Sequence, residues 1–374
     1  MISNSYFSLN NTMPAISFKL FFILSVFVFI PINLAMAEKS VYSVKQVGEL
    51  PIGLTHVVRS ANENGDIVGT YKRGRQAPGG AIWNENKSVQ NINARIEEKE
   101  SDYSATLGIN NNKQTVGSVN TQTGMLAFRA LENGSSLFLD PLSDDTSSAA
   151  IAVNNSDQVV GWSSGSNGIK AVTWNEFGKV ESLPNLPGSN SCRALVINDD
   201  GDIAGACDFS SGSRAVLWKK SSRDNAIDLG HLPGDTWSIP TGMNNKGDIV
   251  GNSGNEEKHN AVLWQKNGKA IKSLGVLSGR VSSRALGIND TGDVVGYSEG
   301  ANSRDHAFMW TNKTGMVDLN ELIPSGSGFV LVQAIAINSD GNISAVGYDE
   351  SMNPDGHLHS ELLPLRIFTI KKAL

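Results

Sequence analysis

One short phrase recurs along this chain at a spacing that leaves few folds open. It reads as an apolar strand, a turn of the form Asn-x-x-Gly, and a second apolar strand that ends in Gly. Its Asn stands at Asn62, Asn110, Asn154, Asn198, Asn244, Asn289 and Asn338, 44 to 49 residues apart. A period in the forties built only from β-type runs marks a propeller, in which one repeat is one blade. A β-solenoid needs a much shorter period. The seven units therefore predict an all-β, seven-bladed β-propeller with four-stranded blades.

The sixth unit shows the expected blade. Strand a is Ser283–Asn289, Asp290-Thr-Gly292 turns the chain, and strand b is Asp293–Tyr297. Strand c follows at His306–Trp310 and strand d at Gly315–Leu319. Each run is short, rich in β-formers and bounded by Gly, Asn, Asp or Ser. The seventh unit offers Val332–Asn338, Ile343–Gly347 and His357–Leu365. Residues 41–53 resemble the strand d endings Leu183–Gly188 and Leu229–Gly234, and they precede the first strand a. The N-terminal strand is thus expected to complete the last blade and hide both edges of the ring.

Within strand a, the residue two before each repeat Asn is small: Ser60, Gly108, Ala152, Gly242, Gly287 and Ala336, with Val196 the exception. The residue directly before it is mostly large and apolar. Strand side chains alternate between faces, so one face is smooth and the other knobbed. Blades could then pack knob against hollow near the axis, which places strand a innermost. In the turn, Asn can accept its own backbone N–H bonds and Gly supplies the positive φ. Asn198, Asp200 and Asp202 alternate as in calcium loops. Lys113 and Lys246 in the same turn of other units, and the lack of a bidentate Glu, favour a structural turn without metal.

Strand c ends in Trp at Trp83, Trp174, Trp218, Trp264 and Trp310, with Ala130 in the second unit and no clean match in the seventh. A ring repeated on most blades is expected to fill the space between blades, sugar stacking being the competing reading. Trp162 and Trp237 break this pattern, and Trp237 falls in the loop between strands d and a. Cys192 and Cys207 flank the fourth a–b hairpin and face each other if Asn198 pairs with Gly201, so a disulfide is expected in an oxidising compartment. Nothing catalytic stands out. The six histidines show no zinc-like spacing beyond His357-x-His359, and there is no nucleophile elbow or phosphate-binding Gly loop.

The first 37 residues read as a signal peptide. Lys19 is the only charge before the apolar run Leu20–Leu34, and Ala35-Met36-Ala37 is a small-x-small site before Glu38. The run is short for a span and holds Pro31, and Met13 would give a leader of more ordinary length. Residues 38–374 are expected as one exported propeller domain without a membrane span, periplasmic or secreted. The full chain carries 31 basic against 37 acidic residues, a formal charge of −6. With the cations scattered apart from Lys72, Arg73 and Arg75, nucleic acid and anionic lipid are poor partners.

The phrase Gly292-Asp-Val-Val-Gly296 followed by His306-Ala-Phe-Met-Trp310 resembles the HAF-repeat family of bacterial extracellular repeat proteins. Ala215-Val-Leu-Trp218 and Ala261-Val-Leu-Trp264 follow the same frame. The resemblance covers nearly all of residues 38–374 and implies an exported repeat protein with no established reaction. It supplies no catalytic residue and no cofactor. Some relatives carry a C-terminal sorting tail, which the ending Arg366–Leu374 does not resemble. The expected function is a binding or interaction module, a monomer whose partner is an extracellular or envelope protein or glycan. The d–a and b–c loops should share one face, and Asp144, Asp235, Trp237 and Arg280 depart from the repeat there. A propeller hydrolase or lyase acting on glycan or peptide is the alternative, and a passive envelope or matrix protein is the third reading.

Overall fold

The repeat Asn does two jobs at once, one inside its own blade and one across to the next. Its side-chain oxygen accepts N–H groups within its own turn, as when Asn244 Oδ1 receives Lys246 at 3.1 Å and Asp248 at 2.8 Å. Its Nδ2 donates to the backbone carbonyl of the Asn one blade on. These bonds run from Asn62 to Asn110 (3.0 Å), Asn110 to Asn154 (3.0 Å) and Asn154 to Asn198 (3.0 Å). They continue from Asn198 to Asn244 (3.2 Å), Asn244 to Asn289 (3.0 Å) and Asn289 to Asn338 (3.1 Å). Asn338 closes the circuit on the Glu63 carbonyl at 2.9 Å. Both polar ends of the amide are satisfied, which lets six of the seven Asn sit buried.

A computed structural model describes residues 42–49, 58–71, 78–84, 87–92, 103–122, 124–265, 270–301, 304–352 and 366–372. The leader with its cleavage point, the Lys72/Arg73/Arg75 cluster, His56, His357 and His359 lie outside the described residues. Lys39–Leu374 forms a unit of its own. It contains seven four-stranded antiparallel sheets, a seven-bladed β-propeller. In chain order from strand a to strand d, blade 1 is Val58–Ala61, Ile67–Tyr71, Gly79–Asn84 and Lys87–Asn91. Blade 2 is Ser104–Ile109, Thr115–Thr121, Gly124–Ala130 and Ser136–Leu139. Blade 3 is Asp145–Val153, Val159–Gly165, Gly168–Trp174 and Val180–Ser182. Blade 4 is Ser191–Ile197, Ile203–Phe209, Gly212–Trp218 and Ala226–Asp228. Blade 5 is Trp237–Met243, Ile249–Gly254, His259–Trp264 and Ile271–Gly275. Blade 6 is Ser282–Ile288, Val294–Glu299, His306–Thr311 and Gly315–Asp318.

Blade 7 is made from both ends of the chain. Its strands are Phe329–Ile337, Ile343–Asp349 and Arg366–Lys372, and Tyr42–Glu49 is the outermost. The N-terminal strand closes the ring as the sequence predicts. The run expected as its third strand, His357–Leu365, falls outside the described residues, and the strand paired with Ile343–Asp349 has another place. It is the later run Arg366–Lys372, whose Ile370 pairs with Ile343 as Trp310 pairs with Val294 in blade 6. Ile370, fully buried, is therefore the seventh counterpart of the strand c Trp.

Strand a is the inner strand, touching strand a of both neighbouring blades. Each strand a carries a bulge at the same place, before the small residue of the repeat, as between Ala285 and Gly287. The small residues let the inner strands close up: a Cβ on Gly287 would lie 3.1 Å from the Ala336 Cα. Trp83, Trp174, Trp218 and Trp264 are fully buried, and Trp310 nearly so. Trp174 packs with Val116, Ala127 and Leu139 of blade 2, so these rings fill the seams between blades. Burying a large ring takes 150–250 Å² of surface from water, so the seam Trp carry much of the stability (about 25 cal/mol per Å²). The positive φ of the turn is held by Gly in five units. Lys113 (φ 56°) and Asp157 (φ 62°) hold it in the second and third, where the Asn-x-x-Gly pattern has lost its Gly.

Candidate functional site

Each of three d–a loops joins the end of strand b in the blade that it enters. Thr236 N–H reaches the Gly254 carbonyl at 2.8 Å, Val281 N–H reaches Glu299 at 2.9 Å, and Asn190 N–H reaches Asp208 at 2.8 Å. Much of the polarity here belongs to the scaffold. Facing serines occupy one place on strands a and b of three blades: Ser148/Ser163, Ser238/Ser253 and Ser283/Ser298. The strand a hydroxyl receives an N–H from strand c of the preceding blade, Ala127 to Ser148 at 3.0 Å, Ala215 to Ser238 at 3.0 Å and Ala261 to Ser283 at 2.9 Å. The strand b hydroxyl receives the d–a loop, Leu142 to Ser163 at 3.0 Å, Leu232 to Ser253 at 2.9 Å and Leu277 to Ser298 at 3.2 Å. In blade 4 both places are cysteine. Cys192 stands opposite Cys207, and the two are bonded as a fully buried disulfide. Such a bond fits an extracellular or periplasmic protein. Among the described residues no helix is long and apolar enough to cross a membrane.

The four residues expected to contact a ligand are placed differently from one another. Asp144 is exposed beside Asp145, whose buried carboxylate accepts the Ser163 hydroxyl at 2.7 Å and pairs with Lys170 at 3.2 Å. Asp235 is the same position in blade 5. Its carboxylate is buried and accepts the Ser253 hydroxyl at 2.6 Å, clamping the d–a loop. Trp237 lies at the start of strand a rather than in the loop, because Thr236 and Trp237 already pair with Gly254 of strand b. Its ring is half-buried and donates Nε1–H to the Asn255 carbonyl at 3.3 Å. Arg280 donates Nη1–H to the Arg304 carbonyl, tying the d–a loop of blade 6 to its b–c loop. Asp235, Trp237 and Arg280 thus fall in adjacent blades, while Asp144 lies two blades back from Asp235.

Around Trp237 the loop face gathers charges that the sequence reading did not single out. Arg193 and Arg284 occupy one position on strand a, opposite Ala206 and Tyr297. The same position is Ala105, Ala149, Ile239 and Gln333 in other blades. Arg193 Nη1 donates to Asp208 at 2.6 Å, and Arg284 Nε donates to Glu299 at 3.0 Å. Asp208 and Glu299 share the equivalent place on strand b. Burial works to raise the Asp208 pKa, but the hydroxyls of Ser213 and Ser191 and the Arg193 guanidinium outweigh it and hold the carboxyl below its usual range. Glu299 is held low chiefly by its hydrogen bond from His259 at 3.1 Å, with burial opposing and Arg284 helping. Burial pushes the Tyr297 hydroxyl up to about 12 and raises the Asp305 carboxyl, to which the nearby Glu299 charge adds.

Two shallow clefts lie on the opposite, a–b turn side. One, at the Ala61–Asn62 and Asn338–Asn342 seam, holds about 40 Å³, and one between Asn198 and Asn245 holds about 60 Å³. Both fall far below the roughly 300–1,000 Å³ of a small-molecule pocket. Among the described residues no group of three or more His, Cys, Asp or Glu is placed to hold a metal ion. In the a–b turns the carboxylates of Asp66 and Asp202 accept bonds from Asn62 Nδ2 (3.1 Å) and the Lys220 N–H (2.8 Å).

Solved structures of similar shape are propellers. A streptogramin B lyase superposes with a TM-score of 0.52 at 10% identity, over 90% of this chain and 99% of that one. The β-propeller domain of the Trilobed protease from Pyrococcus furiosus gives 0.54 at 10% identity, over 86% and 94%. YCF48 from Cyanidioschyzon merolae gives 0.52 at 13% identity, over 88% and 99%. At such identities the likeness concerns the fold. No protein-family model and no curated protein sequence matches the chain.

Proposed function

We propose that residues 38–374 are an exported β-propeller of the HAF-repeat kind, freed from its leader near Ala37/Glu38 and acting as a binding module. It works as a monomer on an extracellular or envelope partner, protein or glycan. The observation that carries this reading is the division of polar residues between the two sides of the ring. The repeated Asn and Ser are used up by bonds that hold blades together, whereas blades 4 and 6 carry Arg193–Asp208 and Arg284–Glu299 pairs, whose strand a position is Ala105, Ala149 and Gln333 in blades 2, 3 and 7, and Trp237 stands between them. A rigid ring displaying unlike loops on one face suits recognition.

The test is a screen of the purified exported chain against glycans and solubilised envelope fractions, with Trp237→Ala alongside. Saturable binding weakened in the variant is the expected result. A folded sample that binds no glycan and retains no envelope component would sink the reading and leave a passive structural role.

A further inference from the structure

Seven side chains on the loop face lie in a row across three blades, and their chemistry narrows the ligand class. At one end Arg193 holds Asp208, which also accepts the Ser213 hydroxyl at 2.7 Å. Ser213 follows Gly212, and a Cβ on Gly212 would lie 3.4 Å from the Cβ of Trp237. The Trp237 ring centroid lies 6.0 Å from that of His259. His259 Nε2 meets Glu299 Oε1 at 3.1 Å, and Glu299 is held by Arg284 at 3.0 Å. Blades 4 and 6 thus place a guanidinium–carboxylate pair at the same position; the blade between them has Ile239 and Gly254 in those two places, and an indole, Trp237, where blades 4 and 6 carry Ser191 and Ser282.

The replacement is built in rather than incidental. Opposite Trp237, where blades 4 and 6 carry Asp208 and Glu299, blade 5 has Gly254. A Cβ there would sit 2.8 Å from the Trp237 ring and 2.6 Å from the His259 Cβ. Glycine lets the indole lie over the strand instead of standing away from it. The five strand c tryptophans are buried in the seams, whereas Trp162 in blade 3 and Trp237 are half-buried, and of these two it is Trp237 that stands between the two guanidinium–carboxylate pairs.

Each flanking pair is neutral as a whole, and each side chain in the two pairs keeps between about a quarter and a third of its surface open. Arg193 binds Asp208 through Nη1 and Arg284 binds Glu299 through Nε, so each guanidinium keeps further N–H groups for an acceptor. An aromatic face bordered by planar donors and acceptors, with no net charge, suits the C–H faces and vicinal hydroxyls of a sugar ring. A polyanion would meet two fixed carboxylates and an acidic chain. We infer that this strip is a binding site for a neutral oligosaccharide, with Trp237 as stacking platform and Arg193–Asp208 and Arg284–Glu299 as hydroxyl-binding pairs on either side. The inference rests on the binding-module reading above.

The test titrates the exported chain with cello-, chito-, malto- and β-1,3-gluco-pentaose, followed by tryptophan fluorescence and calorimetry. One series is expected to bind saturably and to shift the emission. Trp237→Ala should weaken it at least tenfold, equivalent to about 1.4 kcal/mol. Arg284→Gln and Arg193→Gln, at side chains about a third open to solvent, should each weaken it about three- to tenfold. They also guard against a Trp237→Ala variant that merely misfolds. Binding that survives all three variants unchanged overturns the assignment of the strip. An envelope protein retained by the chain while no pentasaccharide binds overturns the glycan class and leaves the module standing. Neither ligand nor partner overturns both.

Discussion

The disulfide in blade 4 makes a prediction that separates two explanations of what those cysteines do. Three sister blades carry serine at both places, and those hydroxyls take N–H bonds from the neighbouring blade and from the d–a loop. The matching donors in blade 4 are the N–H groups of Ala171 and Leu186. A loop closed by residues 15 apart contributes about 3 kcal/mol in the chain-entropy picture. Cys192→Ala with Cys207→Ala should lose all of this. Cys192→Ser with Cys207→Ser should recover two latch bonds at about 1 kcal/mol each, a net loss of about 1 kcal/mol. The two double variants should therefore differ by about 2 kcal/mol. Urea unfolding followed by tryptophan emission reads this directly, because the seam tryptophans are buried. The oxidised and reduced wild-type chains serve as bounds. Equal losses in the serine and alanine variants would refute the idea that the cysteines stand in a serine latch.

Three further outcomes are expected. Lys113→Gly should raise the melting temperature, by about 0.5–1 kcal/mol of stability, since its φ of 56° strains any side chain and its exposed pair with Glu132 contributes little. A melting temperature that falls would mean the turn is not strained. Asn198→Ala should cost about 2–3 kcal/mol in urea unfolding, removing the bond to the Asn244 carbonyl and the acceptor for the Asp202 N–H. A loss below about 0.5 kcal/mol would contradict the circuit. Asp208 and Glu299 have folded pKa values below their unfolded ones, so the stability they supply is present above the ordinary carboxylate pKa of about 4 and is lost as pH falls through the folded values. Asp208→Asn should flatten the acid limb of a plot of melting temperature against pH. An unchanged limb would mean that the Asp208 pairing does not bear on stability.

The blade count was legible because a repeat Asn every 44 to 49 residues is a local signal, readable without knowing what the residue touches. The closing strand was legible for the same reason, since residues 41–53 look like other strand d endings. What Asn62 bonds was not legible, because its partner is 48 residues away and comes near only when the ring is built. Strand c of blade 7 was misplaced because residues 353–365 break the spacing that located it elsewhere, and Arg366–Lys372 read as a tail. The loop-face strip escaped for another reason. Arg193 and Arg284 belong to no motif, and they stand out only when the units are laid in register and the same column is found to hold Ala, Ile or Gln elsewhere. Trp237 was visible as an irregular residue, but Gly254, which gives its ring room, looked like any turn glycine.

The Asn circuit bears on how such a ring can come into being and change. Every unit offers one amide donor forward and one backbone acceptor backward, so six of the seven joints are the same joint, and the seventh, where the ring closes, shifts by one residue to the Glu63 carbonyl. A copied unit inserted anywhere would find its connection already written on both neighbours, and a deleted one would leave ends that still fit each other. The joint itself does not count to seven. That number is left to the width of the seams, where Trp stands in five blades, Ala130 in the second and Ile370 in the seventh. Growth by whole units and divergence of single loops can then proceed independently, the first along the axis side and the second at the rim.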